Sequence, residues 1–169
     1  MLRAGAKNYH FVTVITDPDD YPRILTEMKE RGGKLSADTN FALAVKTFQL
    51  TARYDGAISN YLGTISPDAA VRTFPDTFTV QFAKAQDLRY GENPHQRAAF
   101  YKETDPLLSS LANARQLQGK ELSYNNIMDG DAAWQMVSDF TLPTAVIIKH
   151  ANPCGAATAD DIAAAYLKA

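Results

Sequence analysis

Two stretches of this chain combine residue types that could do chemistry. The first is Leu88-Arg89-Tyr90-Gly91-Glu92-Asn93-Pro94-His95-Gln96, in which six side chains can hydrogen-bond and two residues constrain the backbone. Arg89 offers a planar, permanently charged fork that fits a phosphate or carboxylate, and Tyr90 offers a flat apolar face with a polar tip. Such a pair suits a phosphorylated heterocycle. A solvated connector would have the same composition, and spacing alone does not separate the two readings. The second stretch is Ile147-Ile148-Lys149-His150-Ala151-Asn152-Pro153-Cys154-Gly155, an apolar run that ends in a Lys-His pair and a Gly-containing turn. An imidazole titrates near neutrality and can act as general acid or base, while a neighbouring ammonium can stabilise developing negative charge. Read as a buried strand that turns into a helix, this segment would put Lys149 and His150 at a strand's carboxyl end, where α/β sheets bind ligands and helix N-termini meet anions. An exposed strand end without a task is the alternative.

Four further features carry weaker signals. Asn125 and Asn126 follow Leu122-Ser123-Tyr124 and could contact a ligand, but helix capping accounts for at least one of them. Lys7, flanked by Ala4-Gly5-Ala6 and lying just before an expected first strand, could bind a phosphate or move a proton, although surface lysines are commonly only solvated. The single cysteine, Cys154, reads as an inert thiol, and it leaves no internal disulfide or Cys-based zinc cluster to expect. Trp134 and the phenylalanines read as core.

The elements that must position these groups alternate between strand and helix. Phe11 to Thr16 is a β-branched apolar run that predicts a strand, ended by Asp17-Pro18-Asp19-Asp20. Tyr21, Ile24, Leu25 and Met28 then follow helical spacing up to Gly32-Gly33, and a longer helix capped by Ser36 runs through Phe41, Val45, Phe48 and Ala52 toward Ile58 and Tyr61. From Leu62 to Asp76 the periodicity fades and Gly63, Ser66, Pro67 and Pro75 accumulate, which predicts a boundary: residues 1–61, a linker over 62–76, and residues 77–169. Beyond it, Phe78, Val80 and Phe82 alternate with polar residues as in a half-buried strand, and Ala98 to Tyr101 is a weaker strand. Ile127 to Phe140 reads as a helix capped by Asn125 or Asn126 with Trp134 and Val137 inward, Ala145 to Ile148 as a buried strand, and Thr158 as the cap of a last helix. The expected class is α/β with largely parallel or mixed sheets, each half having too few strands to close a complete sheet, so the chain reads as part of something larger.

Composition narrows the function classes. With 46% hydrophobic and 21% charged residues the chain can bury a core, and 17 basic against 19 acidic residues give a net charge of −2 without a basic block. Nucleic acid and anionic membrane surfaces are therefore not expected partners. No apolar run approaches the roughly 18 residues of a membrane span, and the N-terminal residues lack a signal-peptide stretch. A cytoplasmic location is the expectation.

Three words taken in order carry a family resemblance: Arg3-Ala4-Gly5-Ala6-Lys7-Asn8, the stretch from Leu88 to Gln96, and Lys149-His150-Ala151-Asn152-Pro153-Cys154-Gly155-Ala156-Ala157. Together they resemble the PurH family of bifunctional purine biosynthesis proteins, which pair AICAR transformylase with IMP cyclohydrolase. The resemblance covers essentially all 169 residues but only the central part of a family chain. It implies the end of a methylglyoxal-synthase-like cyclohydrolase domain followed by the start of a cytidine-deaminase-like transformylase domain. The implied chemistry is formyl transfer from 10-formyltetrahydrofolate, a cosubstrate, to AICAR, then closure of FAICAR to IMP, with no metal or prosthetic group in the chemistry. By the same resemblance His150 is the transformylase proton acceptor, Lys149 its transition-state stabiliser, Lys7 the proton-transfer lysine of the cyclohydrolase, and Arg89, Tyr90 and Asn126 are AICAR contacts. The family forms homodimers, and it places the cyclohydrolase phosphate segments before Met1 and the folate site after Ala169, so these residues alone are expected to turn over little or nothing. A non-catalytic nucleotide-binding or subunit-association module is the rival reading.

Overall fold

Local signals set the first half of the chain in a computed structural model that describes residues 1–68, 70–104 and 109–169. The Asp17 carboxylate accepts from the Asp19 N–H (3.0 Å) and opens a short 3-10 turn, Pro18–Asp20, that leads into helix α2, Tyr21–Glu30. The helix stops where Gly32 takes a φ of 62° and the Gly33 N–H reaches back to the Met28 carbonyl (2.7 Å), a Schellman closure. Helix α3, Ala37–Gly63, starts at Ser36, whose Oγ accepts from the Thr39 N–H at 3.1 Å. The Glu27 carboxylate accepts from both the Ser36 N–H (2.7 Å) and the Thr39 hydroxyl (2.6 Å), so α2 helps to cap α3. Those two hydrogen bonds hold the Glu27 carboxyl below the ordinary glutamate range. Lys46 of α3 reaches Asp17 (2.6 Å) and Asp20 (2.7 Å) and is itself held above the usual lysine range by them.

The backbone divides into two units, residues 1–80 and 81–169. In the first, helix α1, Leu2–Lys7, packs on α3, and the buried side chains are Ala6, Ile24, Leu43, Ala44, Thr39 and Thr47. Residue 79 folds back on α3: the Asn60 side chain donates to the Thr79 carbonyl and accepts from the Thr79 N–H, both at 2.8 Å.

The second unit is built on two antiparallel hairpins. Strand β1, Phe82–Leu88, pairs with β2, Ala98–Glu103, and strand β3, Thr144–Lys149, pairs with β4, Asn152–Thr158. Between them lies helix α4, Tyr124–Ser138, which packs on β3, and helix α5, Ile162–Lys168, packs on β3 and β4. Ala165 of α5, fully buried, lets that helix sit close to the hairpin. No helix among the described residues is long and apolar enough to cross a membrane.

The coarse class, mixed α and β, matches the sequence reading, but several details do not. Phe11 to Thr16 forms no strand, because no partner segment supplies its ladder hydrogen bonds among the described residues. The alternating segment from Phe78 becomes strand only at Phe82. Both described sheets are two-stranded and antiparallel, not parallel or mixed. Burial also departs from the periodicity: of the stripe Tyr21, Ile24, Leu25 and Met28 only Ile24 is buried, and Trp134 is 45% exposed, its indole N–H donating to the Ser109 carbonyl. The strand over 144–149 buries only Thr144. The caps shift too, since Ser123 caps α4 in place of Asn125 or Asn126, and Asp161 caps α5 in place of Thr158.

Candidate functional site

In the second unit, the polar loop after β1 is tied to the start of α4 by its backbone. The Arg89 N–H donates to the Leu122 carbonyl (2.8 Å) and the Tyr124 N–H donates to the Tyr90 carbonyl (3.1 Å). The Asn125 side chain adds a third tie, donating from Nδ2 to the Glu92 carbonyl at 3.1 Å. Within the loop, Gly91 N–H donates to the Gln96 carbonyl, and the Asn93 N–H donates to Gln96 Oε1 at 2.8 Å. Gly91 is buried, and a Cβ there would stand 3.0 Å from Gln96 Cβ, so the glycine lets the two sides of the loop close. The Arg89 guanidinium lies over the Tyr90 ring at 4.9 Å from its centroid, an arrangement that presents a cation and an aromatic face together.

Asn126 has a double character. Its Oδ1 accepts from the Ser123 N–H and the Ser123 hydroxyl, each at 3.0 Å, which completes a capping box at α4. The Asn126 Nδ2 has no partner among the described residues, so the exposed side chain keeps both of its N–H donors for a ligand.

Lys149 and His150 do not lead into a helix. Lys149 pairs with Asn152, and His150 and Ala151 form the two-residue hairpin loop between them, with φ of 53° and 57°. Positive φ at both central residues is the signature of a type I′ turn, which Asn-Gly usually supplies. The expected break at Asn152-Pro153-Cys154-Gly155 is instead strand β4, in which Cys154 is an extra residue: Ile147 pairs with Gly155 and Ile148 with Pro153. That bulge accommodates the proline, which has no N–H to give the ladder. The helix N-terminus expected to face Lys149 and His150 is therefore absent from this position, since α5 begins only at Ile162. Lys149, His150 and Cys154 are exposed.

The turn is anchored to the same helix as the loop. The Ala151 N–H donates to Asp129 Oδ1 at 2.8 Å, and the Asn152 side chain donates to the His150 carbonyl at 2.7 Å. Asn125 and Asp129 are four residues apart on α4, so they share one face about 6 Å apart along the axis. Arg89, Tyr90, Asn126, Lys149 and His150 are thus all carried by, or fastened to, the first turns of one helix. Sequence reasoning passed over Asp129 and gave Asn125 no loop contact; their spacing on a recognisable helix was the available signal.

Lys7 lies in the other unit, at the C-terminal end of α1 and not before a strand. It lines a cavity of about 440 Å³ with Ala6, Tyr9, Phe41, Ala44 and Phe48, a mostly apolar surface around one ammonium. Tyr9 meets Phe41 edge to face, and Arg3 stacks on Phe48. Among the described residues no group of three or more His, Cys, Asp or Glu could hold a metal ion.

Comparison with known proteins finds relatives that match the whole chain. The bifunctional purine biosynthesis protein PurH of Acidithiobacillus ferrooxidans is 57% identical over 169 residues, which is all of this chain and 32% of that protein. The chain therefore spans about a third of the length of this relative. The model of the AICARFT/IMPCHase bienzyme family matches residues 5–169. With nearly every residue matched, the chain belongs to the AICARFT/IMPCHase bienzyme family.

Proposed function

We propose that this chain carries part of the machinery for the last two steps to IMP: formyl transfer to AICAR and closure of the product. In the first step the 5-amino nitrogen of AICAR attacks the formyl carbon of 10-formyltetrahydrofolate. His150 takes the amine proton, and the Lys149 ammonium stabilises the oxyanion of the tetrahedral intermediate. The carbon–N10 bond then breaks, and N10 takes the proton held by His150 as tetrahydrofolate leaves. Arg89, Tyr90 and the free amide of Asn126 hold the nucleotide. In the second step the carboxamide nitrogen of FAICAR closes on the formyl carbon and water is lost, with Lys7 handling a proton.

The observation that carries this reading is the common anchorage of the 88–96 loop and the 149–152 turn on α4, through Asn125 and Asp129. A guanidinium, a phenol, an amide, an ammonium and an imidazole on one support fit a phosphorylated heterocycle with an amine to be deprotonated. Residues 1–61 would then close a methylglyoxal-synthase-like cyclohydrolase domain, 62–76 connect, and 77–169 open a cytidine-deaminase-like transformylase domain. The reading extends to a homodimeric, cytoplasmic enzyme with folate as cosubstrate, in which these 169 residues, about a third of the length of the matched relative, turn over little or nothing by themselves.

The test is formyl transfer by the full reading frame that carries these residues, followed as tetrahydrofolate release. His150→Ala is expected to lower the rate by about 10²- to 10⁴-fold, the usual scale of a lost general base. An unchanged rate would favour the subunit-association reading.

A further inference from the structure

The His150–Ala151 turn has a conformation its own residues do not favour. Both sit at φ near +55°, and while histidine enters the left-handed region more readily than most residues, alanine gains nothing there. A type I′ turn uses the backbone N–H of its last residue and leaves that of its second central residue, here Ala151, without a partner in the turn. Asp129 fills that vacancy from α4, its Oδ1 2.8 Å from the Ala151 nitrogen. The half-buried Asp129 is thus the one described side chain outside the hairpin that grips this turn.

We infer that Asp129 is a positioning residue for His150: its carboxylate holds the strained turn on α4 and so fixes where the imidazole is presented to the substrate amine. The inference rests on the reading of His150 as proton acceptor. The acceptor oxygen, not the charge, does the holding. It follows that Asp129→Asn, which keeps an oxygen at the same reach, should act as the unaltered residue does. A glycine at position 151, which adopts positive φ freely, should lessen the need for Asp129.

The experiment uses the full reading frame, with steady-state formyl transfer to AICAR and amide hydrogen exchange at Ala151 measured on each variant. Asp129→Ala is expected to lower kcat by about ten- to a hundredfold with KM for AICAR little changed, the cost of a misplaced catalytic group. Its Ala151 amide should exchange faster. Asp129→Asn should keep kcat within about threefold, and Ala151→Gly added to Asp129→Ala should recover a measurable part of the loss. Equal damage from Asp129→Asn and Asp129→Ala would overturn the inference, as would full kcat in Asp129→Ala or no recovery from Ala151→Gly. If Asp129→Ala does not fold, Asp129→Asn decides: near-native kcat and Ala151 protection support the inference, and loss of either overturns it. Absence of formyl transfer in the unaltered protein would refute the proposed function instead, and exchange at Ala151 would still show whether Asp129 holds the turn.

Discussion

Asn126 has two ends with separate duties, so a substitution can remove one and keep the other. Its Oδ1 closes the capping box on Ser123, a residue only 1% exposed, while in the proposed function its Nδ2 is what meets the nucleotide. Asn126→Asp retains an oxygen for the box and puts negative charge in the first turn of α4, where the helix dipole favours it by about 0.3–1 kcal/mol. Stability should therefore hold or rise slightly. Ser123→Ala is the contrast: it removes the oxygen that accepts from the Asn126 N–H at 3.4 Å, a cap loss of about 1–2 kcal/mol. Binding should show the reverse pattern. Losing the Nδ2 donor forfeits one hydrogen bond of about 0.5–1.5 kcal/mol, so AICAR affinity should fall by roughly 2- to 12-fold in Asn126→Asp. Thermal denaturation and calorimetry with AICAR on the two variants measure both quantities. If Asn126→Asp destabilises as much as Ser123→Ala, the capping assignment is wrong; if its affinity is unchanged, the Nδ2 end does not meet the nucleotide.

Two further outcomes follow from the first unit. Gly5 lies inside α1, where alanine would ordinarily gain about 1 kcal/mol in helix propensity, but a Cβ there would stand 2.7 Å from Val14 Cγ2. Gly5→Ala should therefore be net destabilising, because overpacking costs about 1–3 kcal/mol, with exchange broadening of the Lys7 signals in NMR spectra as the local reporter. Acid should loosen this unit as well. Asp17 is held below its ordinary range by the Lys46 hydrogen bond and Glu27 by Thr39 and Ser36, so both contribute stability above their unfolded pKa values. That contribution is lost as pH falls below about 4 and through the depressed folded values, and Glu27→Gln should flatten the dependence seen by circular dichroism.

Helices α2 and α3 and the stop between them were legible in the sequence because their hydrogen bonds close within a few residues. Ser36 caps α3 and Gly32-Gly33 ends α2 as spacing and residue type require, and Ala98 onward is strand as its composition suggests. The words around Arg89 and Lys149 were legible for a different reason: with Arg3 to Asn8 they resemble one family in order, and the model of that family matches residues 5–169. Strand pairing was not legible, since a ladder is decided by segments far apart in sequence. Hence Phe11–Thr16 has strand composition without a strand, and Asn152-Pro153-Cys154-Gly155 has the composition of a break yet forms a bulged strand. Burial likewise depended on which elements meet, so α2 buries Ile24 and leaves Leu25 exposed. Most of all, nothing in Lys-His-Ala-Asn announces a turn with two positive φ angles. Tertiary structure decides it: the hairpin packs on α4 and α5, and Asp129 reaches the Ala151 N–H from outside the turn.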